Sequence, residues 1–341
     1  MSDPSPPTAP LRRSDEPEVA VVGAGIVGLS TAYALLERGI ECRVHEHGVP
    51  GNGQSGGVSR IFRHAHDDPR MITAAQASRA AYDEWGERLG VELVSGDGAV
   101  AIGPSVESRL PLLQEAGVAV RRIDAAELAA RVPLLAGFDG PAMLDERGGS
   151  IRTTAAVEAL TTALGGDRLV ADEVLAVRPT SQGVEVRSGG RTDVYRRVVV
   201  CGGRGTAALA RTAGLSLPVE QSAHVRLTFG VRDTAPRVLA TLQDSSGAFG
   251  ETGVYAAAAP GNTAYAVGLS ETTLARDDAS LPDPGALDAL ASRAAAYVRR
   301  ALPGLDPDPV AVRHCWVTTL PWGEDAMAVW EAGGVLFPVG H

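Results

Sequence analysis

Gly23, Gly25 and Gly28 stand in the order G-x-G-x-x-G, and Glu46 follows the last of them by eighteen residues. That spacing suits a dinucleotide. The first glycine permits a tight turn, the second lets a pyrophosphate approach the backbone, and the third lets a helix pack on a strand. The phosphates then meet the first N–H groups of that helix, at Ile26 and Val27. A carboxylate at Glu46 accepts both hydroxyls of an adenosine ribose and argues against a 2′-phosphate there. A second group with chemistry is the arginine pair Arg60 and Arg63, in the glycine-rich segment 48–69. Two neighbouring arginines repel and lose hydration on burial, so a buried pair makes sense opposite an anion. No lysine occurs anywhere, and all 31 basic residues are arginine. Schiff-base and lysine-mediated proton chemistry are thereby excluded, because guanidinium neither loses its proton nor acts as an amine nucleophile.

The elements that position these residues are legible in part. Val19 to Val22 reads as a short buried parallel strand, Ile26 to Arg38 as a helix stopped at Gly39, and "ECRVHE" as the next strand. Helices are expected at about 71–89, 105–116, 125–131, after Thr153, and at 284–302. "LVSGDGAVAIG" (93–103) reads as a hairpin, and 171–179, 183–188 and 194–205 as three strands, the last running into Gly202 and Gly203. Antiparallel strands are expected between 218 and 275 and a final strand over 311–321. The order predicts a mixed α/β fold: a Rossmann-like nucleotide-binding domain (18–85, 148–217 and 312–341) interleaved with an antiparallel-sheet substrate domain (86–147 and 218–311).

Composition bounds the partners. The net charge is −10 in 341 residues, which disfavours nucleic acid or an anionic membrane as partner and favours a small molecule. Residues 1–17 are rich in Pro, Ser and Asp, lack an apolar signal region, and are expected to be a disordered tail. Three cysteines, Cys42, Cys201 and Cys315, imply neither a disulfide framework nor a zinc site, and no metal is expected. A reducing cytoplasm is the expected location.

Four stretches resemble the FAD-dependent amine oxidoreductases of the D-amino-acid oxidase fold, with monomeric sarcosine oxidase and the N-methyl amino acid oxidases nearest in pattern. "VVGAGIVGLSTAYALLERG" with Glu46 resembles that family's FAD fingerprint. "SGGVSRIFRHAH" (55–66) resembles its S-x-G-x-x-R-x-x-R-H-A-[YH] loop. "VVVCGGRG" resembles its second glycine turn, and "HCWVTTLP" its C-x-x-T-x-x-P segment. The resemblance implies FAD held by Gly23, Gly25, Ile26, Val27, Gly28, Glu46, Ser55, Gly56, Val174, Gly202, Gly203 and Gly340, with Cys315 attached covalently to the flavin. It implies Arg60 beside the flavin ring, Arg63 on a substrate carboxylate, and Tyr255 over the substrate pocket. His64 is expected to be a structural hydrogen-bonder, and His45 and His47 to be surface residues.

The sequence departs from the family at two places. Ala266 stands where the family has an oxygen-activating lysine, and Ser270 where it has a histidine. The sequence also closes at Gly340 and His341, where the family continues through a G-H-G-F-K-like turn; a natural end there would compromise flavin retention and activity or call for a partner protein to complete the site, and a shortened sequence is the simpler expectation. The expected reaction is oxidation of a secondary or cyclic amine bearing a carboxylate. A dehydrogenase or tailoring enzyme with a non-oxygen acceptor, and a non-catalytic flavoprotein subunit, are the alternatives.

Overall fold

The computed structural model describes residues 18–276, 278–323 and 326–340. The expected tail 1–17 and His341 lie outside the described residues.

Val19–Val22, an unbroken apolar run, is buried along its whole length. A strand buried on both faces sits inside a parallel sheet covered by helices. It pairs in parallel with Cys42–Glu46 on one side and Arg197–Val200 on the other. The six-stranded sheet runs Met327–Ala332, Val335–Gly340, Arg197–Val200, Val19–Val22, Cys42–Glu46, Leu169–Ala171, with only the first pair antiparallel. On one face the helices Ile26–Leu36 and Thr153–Leu164 bury Leu29, Ala32, Leu160 and Leu164. The other face carries an antiparallel meander of Val174–Thr180, Gly183–Ser188 and Arg191–Tyr195. The segment 194–205, expected as one strand, is two. Arg196 and Arg197 both donate their backbone N–H to Glu18 O, and there the chain passes from the meander into the parallel sheet.

The second layer is a large, mostly antiparallel sheet. Glu220–Gly230 lies between Ala311–Thr319 on one side and Ala264–Leu269 with Thr273–Ala275 on the other. Val254–Ala258, Thr241–Asp244, Ala99–Ile102, Ala142–Asp145 and Val120–Arg122 follow in turn. Ala311–Thr319, expected with the nucleotide-binding part, therefore belongs to this sheet. The expected hairpin over 93–103 is also absent: Val94 bridges to Ile151, while Ala99–Ile102 pairs with Ala142–Asp145 and Thr241–Asp244. Its apolar residues satisfy two distant strands better than they satisfy each other.

Helix Ala286–Ala301 covers one face of this sheet through Leu290, Ala294, Tyr297 and Ala301, packed among Ala223, Val225, Leu227 and Phe229. Asp288 in its first turn and Arg299 and Arg300 in its last complement the helix dipole. Because side chains alternate along a strand, His224 and Arg226 must point to the opposite face. Helix Pro69–Leu89 closes the loop that crosses that face. Asp68 caps it by accepting from Arg70 N, Pro69 occupies its first turn, and left-handed Gly90 (φ 66°) ends it.

Candidate functional site

The glycine turn has the shape its spacing implies. Gly23 adopts φ +101°, and a Cβ there would lie 2.5 Å from Cys201 O. A Cβ on Gly28 would overlap Gly23 O, so this glycine sets how closely the helix approaches the strand. Gly25 caps the helix without a side-chain bond of its own, and Ser55 Oγ accepts from Ile26 N at 2.8 Å. Val27 and Gly28 have no helical acceptor at this end, which leaves donors for phosphate oxygens. Glu46 accepts from Ala24 N and from Gly48 N, each at 2.8 Å, and keeps further lone pairs for ribose hydroxyls. Gly202 and left-handed Gly203 (φ 54°) bring the second glycine turn beside Gly23 and Gln54. Val174 opens its strand shortly after Ala171, the partner of Glu46. Gly340 ends its strand at the same carboxyl edge of the sheet. Two phosphates, a ribose and an adenine thus find donors, an acid and an apolar wall, and these residues fit FAD.

His45, expected at the surface, is buried at 1 % exposure. Its Nδ1 meets Asp172 at 2.9 Å and its Nε2 meets Tyr195 Oη at 3.0 Å, tying the parallel sheet to the meander. His47 is exposed as expected. His64 is also buried, and both its N–H and its Nδ1 reach the buried carboxylate of Asp145.

The loop 52–66 crosses from the glycine turns to the large sheet. Arg60 donates to the carbonyls of Gln54, Gly56 and Ser59, so its first task is to hold its own loop. Arg63 donates to Ala65 O and has further partners. Ser59 Oγ reaches Ala257 O on the sheet at 3.2 Å. Gly56 and Gly57 permit close approach: a Cβ on Gly56 would lie 2.7 Å from Arg313 Cζ, and one on Gly57 would lie 2.7 Å from Arg226 Nη2 and 3.1 Å from Arg60 Nη1. Arg60, Arg226 and Arg313 therefore gather against two glycines, and among the described residues none of the three forms an ion pair.

Tyr255 and Cys315 face the same group. Tyr255 Oη meets His224 Nδ1 at 2.8 Å, and its ring lies over Gly268, where a Cβ would stand 2.5 Å from Cζ. Burial raises the Tyr255 hydroxyl well above the ordinary range, with Arg226 pulling the other way, so it stays protonated at neutral pH. Cys315 pairs with His224 across the strands and is 7 % exposed. Burial raises its thiol as well, opposed by the guanidinium groups of Arg226 and Arg313. Ala266 is buried opposite Thr228 and Ala257, so the position of the family's lysine carries no charge.

Four residues of this site, His224, Arg226, Arg313 and Asp145, escaped the sequence reading. The available signal was "HVRLTF", in which His224, Arg226 and Thr228 alternate with Val225, Leu227 and Phe229. Such alternation marks one polar face, and only the loop packed over it shows that the face is interior.

The other two thiols give a pH prediction. Burial pushes Cys42 up to about 11 and Cys201 up to about 12, from an ordinary 9.0. The folded state favours the neutral thiols, so their contribution is fully present below about pH 9 and is lost as pH rises through these values. Urea midpoints should fall across that window, and a Cys42→Ala/Cys201→Ala double variant should show a shallower fall. An equal slope in both proteins would show that the thiols do not contribute.

Among the described residues no helix is long and apolar enough to cross a membrane. The family described as DAO, FAD dependent oxidoreductase, matches residues 18–341. Among curated proteins none matches the sequence. Solved structures share the fold. NikD, an unusual amino acid oxidase essential for nikkomycin biosynthesis, superposes with a TM-score of 0.79 at 21% identity, covering 95% of this chain and 88% of that one. The L-proline dehydrogenase of P. horikoshii gives 0.80 at 16% identity, with 95% and 88% covered. The glycine oxidase of Geobacillus kaustophilus gives 0.76 at 20% identity, with 95% and 89% covered.

Proposed function

The chain belongs to the FAD-dependent oxidoreductases of the DAO family, and from that premise we propose that it oxidises a secondary or cyclic amine that carries a carboxylate. FAD, held by the N–H groups of Val27 and Gly28, by Glu46 and by the Gly202–Gly203 turn, would supply the two-electron acceptor for oxidation of the amine's carbon–nitrogen bond to an imine, with release of the nitrogen's proton. The observation that carries this reading is the cluster of Arg60, Arg226 and Arg313 beside Tyr255, without an acidic partner among the described residues and next to the dinucleotide turns. A neutral protonated tyrosine and apolar Ala257 and Ala266 give the amine a poorly solvated wall. Such a wall favours the uncharged amine, the form that can release a hydride. Amino acid chemistry in the named relatives, an oxidase of amino acids and a dehydrogenase of proline among them, agrees with this substrate class.

The test is anaerobic mixing of the flavin-loaded protein with N-methyl and cyclic amino acids. Bleaching of the visible flavin band by these, and not by the corresponding amines without a carboxylate, is the expected result. A band unmoved by every amine acid would sink the reading.

Covalent attachment is proposed at Cys315, on the strength of the C-x-x-T-x-x-P resemblance and of its place beside the arginine cluster. Acid-precipitated protein should stay yellow, and Cys315→Ala should release its flavin to the supernatant. Yellow supernatant from the unmodified protein would remove this role from Cys315.

A second reading concerns the acceptor and rests on Ala266. With no lysine in the chain, electrons leave to an acceptor other than dioxygen. Fast dye reduction with slow peroxide release supports that reading, and equal rates refute it.

A further inference from the structure

Arg226 sits mid-strand with its side chain on the face that the loop 52–66 crosses, and only 6 % of the residue is exposed. Its neighbours are Tyr255, Cys315, Arg313 and the backbone of Gly57. Neither a hydrogen bond nor an ion pair to its guanidinium exists among the described residues. A buried guanidinium is ordinarily paired, because five donors removed from water without a partner are costly. Desolvation accordingly acts against its charge, and Arg313 adds to that effect.

The two other arginines of the cluster are differently placed. Arg60 gives its donors to three loop carbonyls, and Arg313 gives Nη2 to the carbonyls of Asn52 and Gly53. Arg63 donates to Ala65 O within a loop segment anchored by His64 to Asp145. Two more polar atoms on the same sheet face are buried without a partner, Arg313 Nε and Ser222 Oγ. Register confirms the shared face: Arg226 pairs with Arg313, and Ser222 with Val317, each two residues from Cys315. Three orphaned donor groups on one face, opposite Gly268 and Ala266, describe a receptor for an anion rather than a structural ion pair.

We propose that Arg226, rather than Arg63, binds the carboxylate of the substrate. The inference rests on the amine-acid reading above and deepens it. A guanidinium matches a carboxylate in two parallel hydrogen bonds, and Arg226 presents that fork beside Tyr255, at the wall against which the amine would lie. Gly268 admits the Tyr255 ring beside the fork, and Ala266, at the position of the family's lysine, adds no competing cation.

The experiment uses flavin-loaded protein titrated with benzoate and with benzamide, an anion and its uncharged counterpart, followed by perturbation of the flavin spectrum. Arg226→Gln should weaken benzoate about 10- to 100-fold, the size of a charge-assisted bond, and leave benzamide unchanged. Arg63→Gln should change the benzoate-to-benzamide ratio less. An unchanged ratio in Arg226→Gln would overturn the proposal. If that unchanged ratio came with weaker sulfite addition to the flavin, the charge would belong to the flavin's negative pole instead. A readout without cofactor guards against misfolding: Arg226→Met should raise the melting temperature of the flavin-free protein, since it replaces an unpaired buried cation. A fall would show that Arg226 is paired and would overturn the premise. The two proposals fail separately. Benzoate binding that depends on Arg226 in a protein no amine reduces sinks the oxidation reading alone. Amine oxidation with an unchanged KM in Arg226→Gln sinks this one alone.

Discussion

Gly28→Ala is expected to yield a protein that carries no flavin and melts at a lower temperature. The added Cβ would overlap Gly23 O and stand 3.0 Å from Gly23 C, both of them backbone atoms of the strand-to-helix turn. No side chain can rotate to relieve this, so helix Ile26–Leu36 must move away from Val19–Val22. Overpacking of this kind costs about 3 kcal/mol, the upper part of its usual range, because the obstacle is rigid. The movement also carries the N–H groups of Val27 and Gly28 away from the pyrophosphate, and a phosphate site depends on several donors converging. A suitable control is Gly166→Ala, where a Cβ meets nothing within 4 Å and φ is ordinary. Flavin content after reconstitution and thermal melting decide the matter. Stoichiometric flavin in Gly28→Ala would refute the assigned role of this turn.

That prediction draws on the part of the molecule most legible in its sequence. The G-x-G-x-x-G turn, its flanking strand and helix, and Glu46 are local in the chain, and local order is what periodicity and glycine spacing report. The large-sheet face is different in kind. Arg226 meets Arg313, and Tyr255 meets His224, only through strand register, and register joins residues that no short window contains. Polar residues at every second position read as a wetted face, whereas here the loop 52–66 covers them. His45 was misread for the same reason, since Asp172 and Tyr195 arrive from other elements. The two last strands escaped because Met327–Ala332 is an edge strand with little burial, and Val335–Gly340 contains Pro338. Proline argues against a central strand, yet the parallel pairing with Arg197–Val200 falls at Val335 and Leu336, before it.

Asp145→Ala should be the most damaging substitution outside the nucleotide turns, because this carboxylate fastens the arginine-bearing loop to the sheet. Asp145 ends the strand Ala142–Asp145 and is 2 % exposed. Its Oδ2 accepts from His64 N at 2.8 Å and meets His64 Nδ1 at 2.9 Å, while its Oδ1 accepts from Arg147 N at 3.2 Å and Gly148 N at 3.0 Å. Alanine would deprive the buried imidazole and the backbone N–H groups of His64 and Arg147 of their acceptor at once, while Gly148 N keeps the carbonyl of residue 145. Removing one partner of such a buried group costs about 3–5 kcal/mol, which urea unfolding can read directly. Asp145→Asn keeps one acceptor oxygen and should recover part of the loss. The functional consequence follows from chain connectivity: His64 directly follows Arg63, and Arg60 begins the strand Arg60–Phe62, so a loop released at His64 lets both arginines drift. At a temperature where every variant is folded, kcat/KM for an amine acid should therefore fall at least tenfold in Asp145→Ala, about 1.4 kcal/mol of lost positioning. Wild-type stability together with wild-type kcat/KM would show that the loop is held by other contacts, of which Ser59 Oγ on Ala257 O is the first to test.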